Sequence, residues 1–148
     1  MGPVQILLAE DNYGDIALIQ QALRQHRIEH SLRVARDGGE AIDLLSRMGA
    51  SGGMPCPDLV LLDLNLPKAD GAQVLAALRQ RSECANTPVI VVTSSDAPRD
   101  KRRMADLGVN RYFKKPSDLD EYMKLGATVL EVMAARRSDA PGAPPSAH

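Results

Sequence analysis

Short apolar runs alternate with stretches of helical spacing along most of the chain. Three runs are almost wholly apolar, and they lie at 5–9, 58–62 and 88–93. Strands of this kind are buried on both faces, so they are expected in the middle of a parallel sheet. The segment 30–35 alternates apolar and polar residues, and 111–115 is largely polar. Both patterns predict strands at the edges of the sheet.

A stretch with helical spacing follows each predicted strand. In the first helix the spacing is carried by Ile16, Ile19 and Leu23, and Asp15 is placed to cap or charge the first turn. The later helices are predicted at 39–48, 72–81, 98–108 and 118–137. The segment between 49 and 57 is rich in Gly and Pro and is expected to be a loop.

Five strand–helix units predict an α/β fold with helices on both faces of a parallel sheet. The three central and two edge strands suit the order 2-1-3-4-5, the flavodoxin-like doubly wound (βα)5 arrangement. The pattern ends near residue 137. We therefore expect one domain over 1–137 and a flexible, Pro/Ala-rich tail over 138–148.

Polar side chains stand where the predicted strands end. Glu10 and Asp11 follow the first strand, Asp63 follows the third, Thr93 ends the fourth and Lys115 ends the fifth. In an open α/β sheet the ligand crevice forms outside the carboxyl ends of the strands, at the point where the strand order reverses. We expect these side chains to converge there.

The chemistry of such a crevice follows from its charges. Three carboxylates that share a site must be paired, protonated or bound to a metal. Their hard oxygen atoms favour Mg²⁺, with Mn²⁺ as an alternative. Lys115 adds a cation suited to phosphate oxygens, and the Thr93 hydroxyl can donate to the same atoms. The set indicates an anion site beside a carboxylate able to attack phosphorus.

Four motifs carry a family resemblance: "EDN", "DLNLP", "VVTSS" and "FKKPSDLDEY". In this order and spacing, from residue 5 to about 134, the chain resembles the receiver domain of bacterial two-component response regulators. The resemblance implies that Asp63 is the phosphoacceptor. It also implies that Asp11, Asp63 and the backbone carbonyl of Asn65 hold Mg²⁺, with Glu10 joining through water.

The same resemblance assigns roles around the phosphoryl group. Thr93 and Lys115 would contact its oxygens, and Lys115 is chosen because it directly precedes Pro116, as the family's lysine does. Tyr112 would be the aromatic switch that reorients when Thr93 moves. The peptide bond before Pro116 is expected to be cis, as is usual in the family.

A narrower likeness comes from "DNYGDIALIQQAL", "LLDLNLPKADG", "VTSSD", "KPSDLDEY" and the long loop at 49–57. These segments resemble small stand-alone regulators that serve phytochrome-type or related histidine kinases. The expected partner is a sensor histidine kinase, with a bacteriophytochrome as one candidate, and a downstream His phosphotransfer protein is another possible partner. The chain would be a single-domain response regulator that catalyses only its own phosphotransfer and dephosphorylation, and whose output comes from its surface.

The face over 98–136 is a candidate dimer interface, because it carries basic residues at one edge and acidic residues at another. These residues are Arg99, Lys101, Arg102, Arg103, Asp118, Asp120 and Glu121. Two such faces related by a two-fold axis would pair opposite charges, as an isologous interface requires. We therefore expect a homodimer, either constitutive or formed on phosphorylation.

Three other functions compete with this interpretation. A haloacid-dehalogenase-type phosphatase also uses a strand-end Asp, but it needs an acid two residues later, where this chain has Asn65. A flavodoxin-like cofactor binder needs a Ser/Thr/Gly-rich loop after the first strand, where this chain has "EDNYGD". A receiver-like interaction module that works without phosphorylation stays open as the main alternative.

Composition limits the expected partners and the cellular location of the protein. The formal net charge of −1 shows no basic excess of the kind that binds DNA. No apolar run is long enough to span a membrane, and the N-terminus lacks the pattern of a signal peptide. Cys56 and Cys84 fit neither a CxxC motif nor a disulfide framework, so both are predicted to be free thiols. Together these features predict a cytoplasmic protein without a membrane partner.

Overall fold

The computed structural model describes residues 2–49 and 53–138. Within them, five parallel strands form one sheet in the order β2-β1-β3-β4-β5. The strands are Val4–Ala9 (β1), His30–Ala35 (β2), Leu59–Leu62 (β3), Val89–Thr93 (β4) and Arg111–Lys114 (β5). The doubly wound fold and strand order predicted from the apolar pattern are confirmed.

Helices cover both faces of the sheet. They are Tyr13–Gln25 (α1), Gly38–Ser46 (α2), Gly71–Gln80 (α3), Pro98–Asp106 (α4), Leu119–Met123 (α5) and Leu125–Ser138 (α6). The core has two clusters, one on each face: Leu62 belongs to the first and Leu61 to the second. Alternate strand side chains point to opposite faces, so continuous apolar strands contribute side chains to both clusters. Each fully buried Leu stabilises the fold by about 1.5–3 kcal/mol.

The single last helix predicted over 118–137 is interrupted. It is divided at Lys124, which lies between α5 and α6. At this point the carbonyl of Met123 accepts a hydrogen bond from Nε2 of His26, with a distance of 3.0 Å. A side chain that enters the helical hydrogen-bond ladder is a recognised cause of a break. Helix α6 ends at Ser138, and the remainder of the predicted tail over 138–148 lies outside the described residues.

Helix α6 packs very closely on α1. A Cβ atom added to Gly126 would lie 2.7 Å from the carbonyl oxygen of Ala22 and would collide with the ring of His26. Only a residue without a side chain allows this approach. The contact ties the C-terminal helix to the helix that begins beside the candidate site.

The prediction that Cys56 and Cys84 are free thiols is wrong. Their sulfur atoms form a disulfide, and the two Cα atoms are 5.5 Å apart. Met48 and Met54 pair as a short parallel bridge, and the disulfide joins the segment before β3 to the 3₁₀ turn at Ser82–Cys84. The two cysteines are 28 positions apart, so no local motif indicated the pairing.

Two further observations concern the backbone and the helices. The described residues contain no cis peptide bond, so the bond before Pro116 is trans and the expected cis bond is not present. Among the helices in the described ranges, none combines the length and the apolar character needed to cross a membrane.

Candidate functional site

An acidic cluster lies where β1 and β3 end. Glu10, Asp11 and Asp63 each place one carboxylate oxygen within 4.8 Å of the others. Glu10 is 1% exposed and Asp63 is 7% exposed, while Asp11 is open to solvent. Because Ala9 and Leu62 are partners in the β1–β3 register, the residues that follow them emerge side by side.

Backbone hydrogen bonds extend the sheet by one residue and hold the two buried acids in place. The amide of Glu10 donates to the carbonyl of Ala35 at 2.9 Å, and the amide of Asp63 donates to the carbonyl of Ala9 at 3.0 Å. A side-chain oxygen of Asp63 accepts from the amide of Asn65 at 3.2 Å. The acids are therefore held by regular strand geometry and do not depend on a mobile loop.

Lys115 is the cation of the crevice. Its Nζ lies 2.7 Å from Glu10 Oε1, 2.8 Å from Asp15 Oδ2 and 3.1 Å from Asp63 Oδ2. An ammonium has three N–H donors, and each has a carboxylate partner here. The backbone amide of Lys115 donates to the carbonyl of Thr93 at 2.7 Å, which anchors the backbone of this residue on β4.

The electrostatics show an excess of negative charge. Burial raises the pKa of Glu10 to about 7, although hydrogen bonds from Lys115 and Asn12 oppose this shift and the charge of Asp63 adds to it. Burial alone would lower the pKa of Lys115, but hydrogen bonds to Asp15 and Glu10 and the charge of Asp63 raise it above its ordinary value. Lys115 contacts three carboxylates and Asp11 adds a fourth to the crevice, so a divalent cation would restore the balance of charge.

The donor set fits Mg²⁺ or Mn²⁺. The three clustered side chains offer only carboxylate oxygens, which are the hard ligands that these ions prefer. Asn65 lies two residues after Asp63 and is exposed, so its position at the rim of the cluster is compatible with the predicted backbone contact. The structure therefore brings together the predicted metal residues Glu10, Asp11 and Asp63, with Asn65 beside them.

Thr93 and Tyr112 lie on the β4–β5 side of the crevice. Thr93 is fully buried, and its hydroxyl oxygen accepts from the amide of Ser95 at 3.4 Å. Tyr112 is half-buried, and its hydroxyl donates to the carbonyl of the same Ser95 at 2.9 Å. The two predicted switch residues therefore share one backbone neighbour.

Two contacts in the crevice were missed from the sequence. Asp15, interpreted only as a residue of the first helical turn, reaches Lys115. Tyr122 is 3% exposed and donates its hydroxyl to the other oxygen of Asp15 at 2.9 Å. Asp15 lies in the first turn of the helix that begins just after Glu10 and Asp11, and this position would have indicated that it can reach the same crevice, but nothing in the sequence indicated Tyr122.

A doubly wound sheet with a buried lysine and an acidic cluster at its switch point defines a flavodoxin-like α/β protein with a ligand site at the carboxyl ends of its strands. The particular family follows from comparison. A family model described as the response regulator receiver domain matches residues 6–125, and the chain belongs to this family. Receiver domains bind Mg²⁺ or Mn²⁺ in an acidic pocket, which is the pocket described above.

Three relatives from this family illustrate the similarity. Response regulator Rcp1 from Synechocystis sp. is 40% identical over 123 residues, covering 83% of this chain and 84% of Rcp1. The Mn²⁺-bound crystal structure of Rcp1 superposes with a TM-score of 0.74 at 37% identity, covering 92% of this chain and 93% of that chain. The phosphorylated cyanobacterial phytochrome response regulator RcpA gives 0.79 at 36% identity, covering 90% and 96%. The bacteriophytochrome response regulator AtBRR gives 0.69 at 36%, covering 89% and 95%. The chain is a receiver-domain response regulator similar to these proteins.

Proposed function

We propose that the protein accepts a phosphoryl group on Asp63 from the phosphohistidine of a sensor histidine kinase. The observation that carries this proposal is the setting of the Asp63 carboxylate. It is almost buried at a strand end, it lies 3.1 Å from the Lys115 ammonium, and it belongs to the carboxylate cluster with Glu10 and Asp11. A nucleophile, a cation and a metal pocket meet at this one point.

The transfer is an in-line displacement. A carboxylate oxygen of Asp63 attacks phosphorus, the new O–P bond forms, and the P–N bond to the kinase's histidine breaks, so that the imidazole leaves with the electron pair. Lys115 and the Thr93 hydroxyl offset charge on the phosphoryl oxygens. Mg²⁺, held by Asp11, Asp63 and the Asn65 carbonyl with Glu10 through water, would neutralise charge there. Attack by water on the same phosphorus returns the carboxylate.

The output switch follows from the Ser95 contacts. If the Thr93 hydroxyl turns toward the phosphoryl group, the amide of Ser95 loses its acceptor, and the backbone at 94–96 is free to shift. Tyr112 is bonded to the carbonyl of Ser95, so the ring follows that shift. Thr93 and Tyr112 would thus act as one unit that reports phosphorylation to the surface of β5.

The finer assignments of partner and setting are also proposals. RcpA is a phytochrome response regulator and AtBRR a bacteriophytochrome response regulator, which supports a bacteriophytochrome as the kinase for this chain. We further propose a downstream His phosphotransfer protein, a cytoplasmic setting, and no DNA or membrane partner. The receiver domain is taken as 1–137, followed by the tail over 138–148.

We also propose self-association through the 98–136 face. Helix α4 is exposed along its basic residues and buries only Met104, while Leu119 on α5 is 49% exposed. Exposed charge pairs contribute only about 0–1 kcal/mol each, so Leu119 would have to anchor the contact. Sedimentation with and without phosphorylation is expected to show a dimer that Leu119→Asp abolishes. A monomer in both states would refute this interface.

The experiment that tests the function is phosphorylation by a small donor. The full chain is incubated with Mg²⁺ and acetyl phosphate, and the modified residue is located by peptide mapping. We expect one phosphoryl group on Asp63, none in Asp63→Asn, and parental labelling in the matched control Asp43→Asn, an exposed acid on α2. Full labelling of Asp63→Asn, or an unlabelled parental chain that still binds its kinase, would overturn the proposal.

A further inference from the structure

Asp15 links the buried lysine to the C-terminal helices. Its Oδ2 accepts from Lys115 Nζ at 2.8 Å, and its Oδ1 accepts from the Tyr122 hydroxyl at 2.9 Å. Its backbone amide donates to the side chain of Asn12, the residue that caps α1, at 2.9 Å. The carboxylate is therefore held from two directions, by the residue after β5 and by helix α5, while its backbone is fixed at the start of α1.

Asp15 differs from the other two carboxylates that bind Lys115. Glu10 and Asp63 belong to the cluster that fits a divalent cation, and among the described residues Asp15 is not a member of it. Once a cation and a phosphoryl group are present, Glu10 and Asp63 have other partners to satisfy. Asp15 would then remain as an acceptor for the lysine, because it lies outside the cluster.

We propose that Asp15 is a positioning residue for phosphoryl transfer, which keeps the Lys115 ammonium beside Asp63, and that Tyr122 fixes Asp15 in the orientation this requires. The inference rests on the proposed function. Lysine carries a point charge on a flexible four-carbon stem, so its position depends on the acceptors around it. Charge stabilisation in a transition state depends strongly on such placement.

The expected effects can be ordered. Asp15→Asn keeps the size of the side chain and a hydrogen-bond acceptor but removes the charge, so the rate of Asp63 phosphorylation should fall about tenfold. Tyr122→Phe removes only the hydroxyl that orients Asp15, and a loss of about threefold is expected. Because Tyr122 acts through Asp15, the double variant should match Asp15→Asn alone.

The test is the initial rate of labelling with acetyl phosphate at saturating Mg²⁺, with Asp43→Asn as the charge-matched control. In this reaction the O–P bond forms at Asp63 as the P–O bond of the donor breaks and acetate leaves. The inference is overturned if Asp15→Asn is labelled as fast as Asp43→Asn. It is also overturned if the rate loss of the double variant equals the product of the two single losses. An unlabelled parental chain would instead refute the proposed function beneath it.

A second measurement separates positioning from folding. In ¹H–¹⁵N spectra of the chain without phosphodonor, the Lys115 ammonium protons should exchange slowly with water, and Asp15→Asn should speed this exchange while the melting temperature stays near that of the parent. Equal exchange in both proteins overturns the inference. If Asp15→Asn fails to fold, Tyr122→Phe decides, because a parental labelling rate in that variant removes the role given to the Asp15–Tyr122 contact.

Discussion

Reduction of the Cys56–Cys84 disulfide should destabilise the protein mainly through the unfolded chain. The bond closes a loop that spans 28 positions of sequence. In the chain-entropy model, the cross-link changes the entropy of the unfolded chain by −2.1 − 1.5R ln n cal/mol/K, where n is the number of residues in the loop. For a loop of this length the resulting stabilisation of the fold is about 3.6 kcal/mol at 25 °C. Cys84 is fully buried, and a buried thiol behaves as a small apolar group, so the folded state should change little.

Urea unfolding with and without reductant measures this difference. With an m-value of about 2 kcal/mol/M, a loss of about 3.6 kcal/mol lowers the midpoint by about 2 M. Alkylation in denaturant, followed by mass spectrometry, reports in parallel whether the thiols were free. The double variant Cys56→Ser/Cys84→Ala is the control, and its midpoint should not respond to reductant.

Two results would refute the reasoning. If both cysteines are alkylated in the protein purified without reductant, the disulfide does not form and the sequence-based prediction of free thiols was right. If the bond is present but its reduction leaves the free energy of unfolding unchanged, the loop it closes is already constrained in the unfolded chain, contrary to the entropy argument.

Three further predictions concern the metal, the helix packing and Tyr122. Mg²⁺ at about 100 times its Kd should stabilise the fold by about 2.7 kcal/mol and raise the melting temperature. Asp11→Asn should remove most of this rise, and an equal rise in the variant would contradict the metal pocket. Gly126→Ala should cost about 1–3 kcal/mol in urea unfolding, because its Cβ meets His26 and the Ala22 carbonyl, and a neutral effect would show that α6 can move away. Burial and the hydrogen bond to Asp15 raise the pKa of Tyr122. Above the ordinary tyrosine pKa of about 10, the folded state therefore holds a proton that the unfolded state releases. The free energy of unfolding should fall as pH rises through this range. Tyr122→Phe should lose part of this alkaline destabilisation, and identical pH–stability curves would contradict the assignment.

The sequence predicted most of the sheet and the acidic crevice because both depend on regular periodicity. Continuous apolar strands identify the central positions, and the residue after such a strand must emerge at the crevice, as Asp63 does. The contact between Asp15 and Tyr122 spans 107 positions and depends on the angle at which α5 meets α1, which no local pattern encodes. The disulfide and the break at Lys124 were missed for the same reason, since each depends on a distant partner.

The arrangement of charges predicts that metal binding frees some of the hydrogen-bond donors of Lys115. Glu10, Asp15 and Asp63 all contact the ammonium of Lys115, so Lys115 is the counter-ion that these three carboxylates share. A buried carboxylate left without a partner is costly, and Lys115 supplies that partner to Glu10 and Asp63. A divalent cation bound by Asp11 and Asp63 would take over this neutralisation. The lysine would then keep Asp15 as its anchor while its remaining donors became available for a phosphoryl oxygen. The metal would thus prepare both Lys115 and the carboxylate of Asp63 for the transfer.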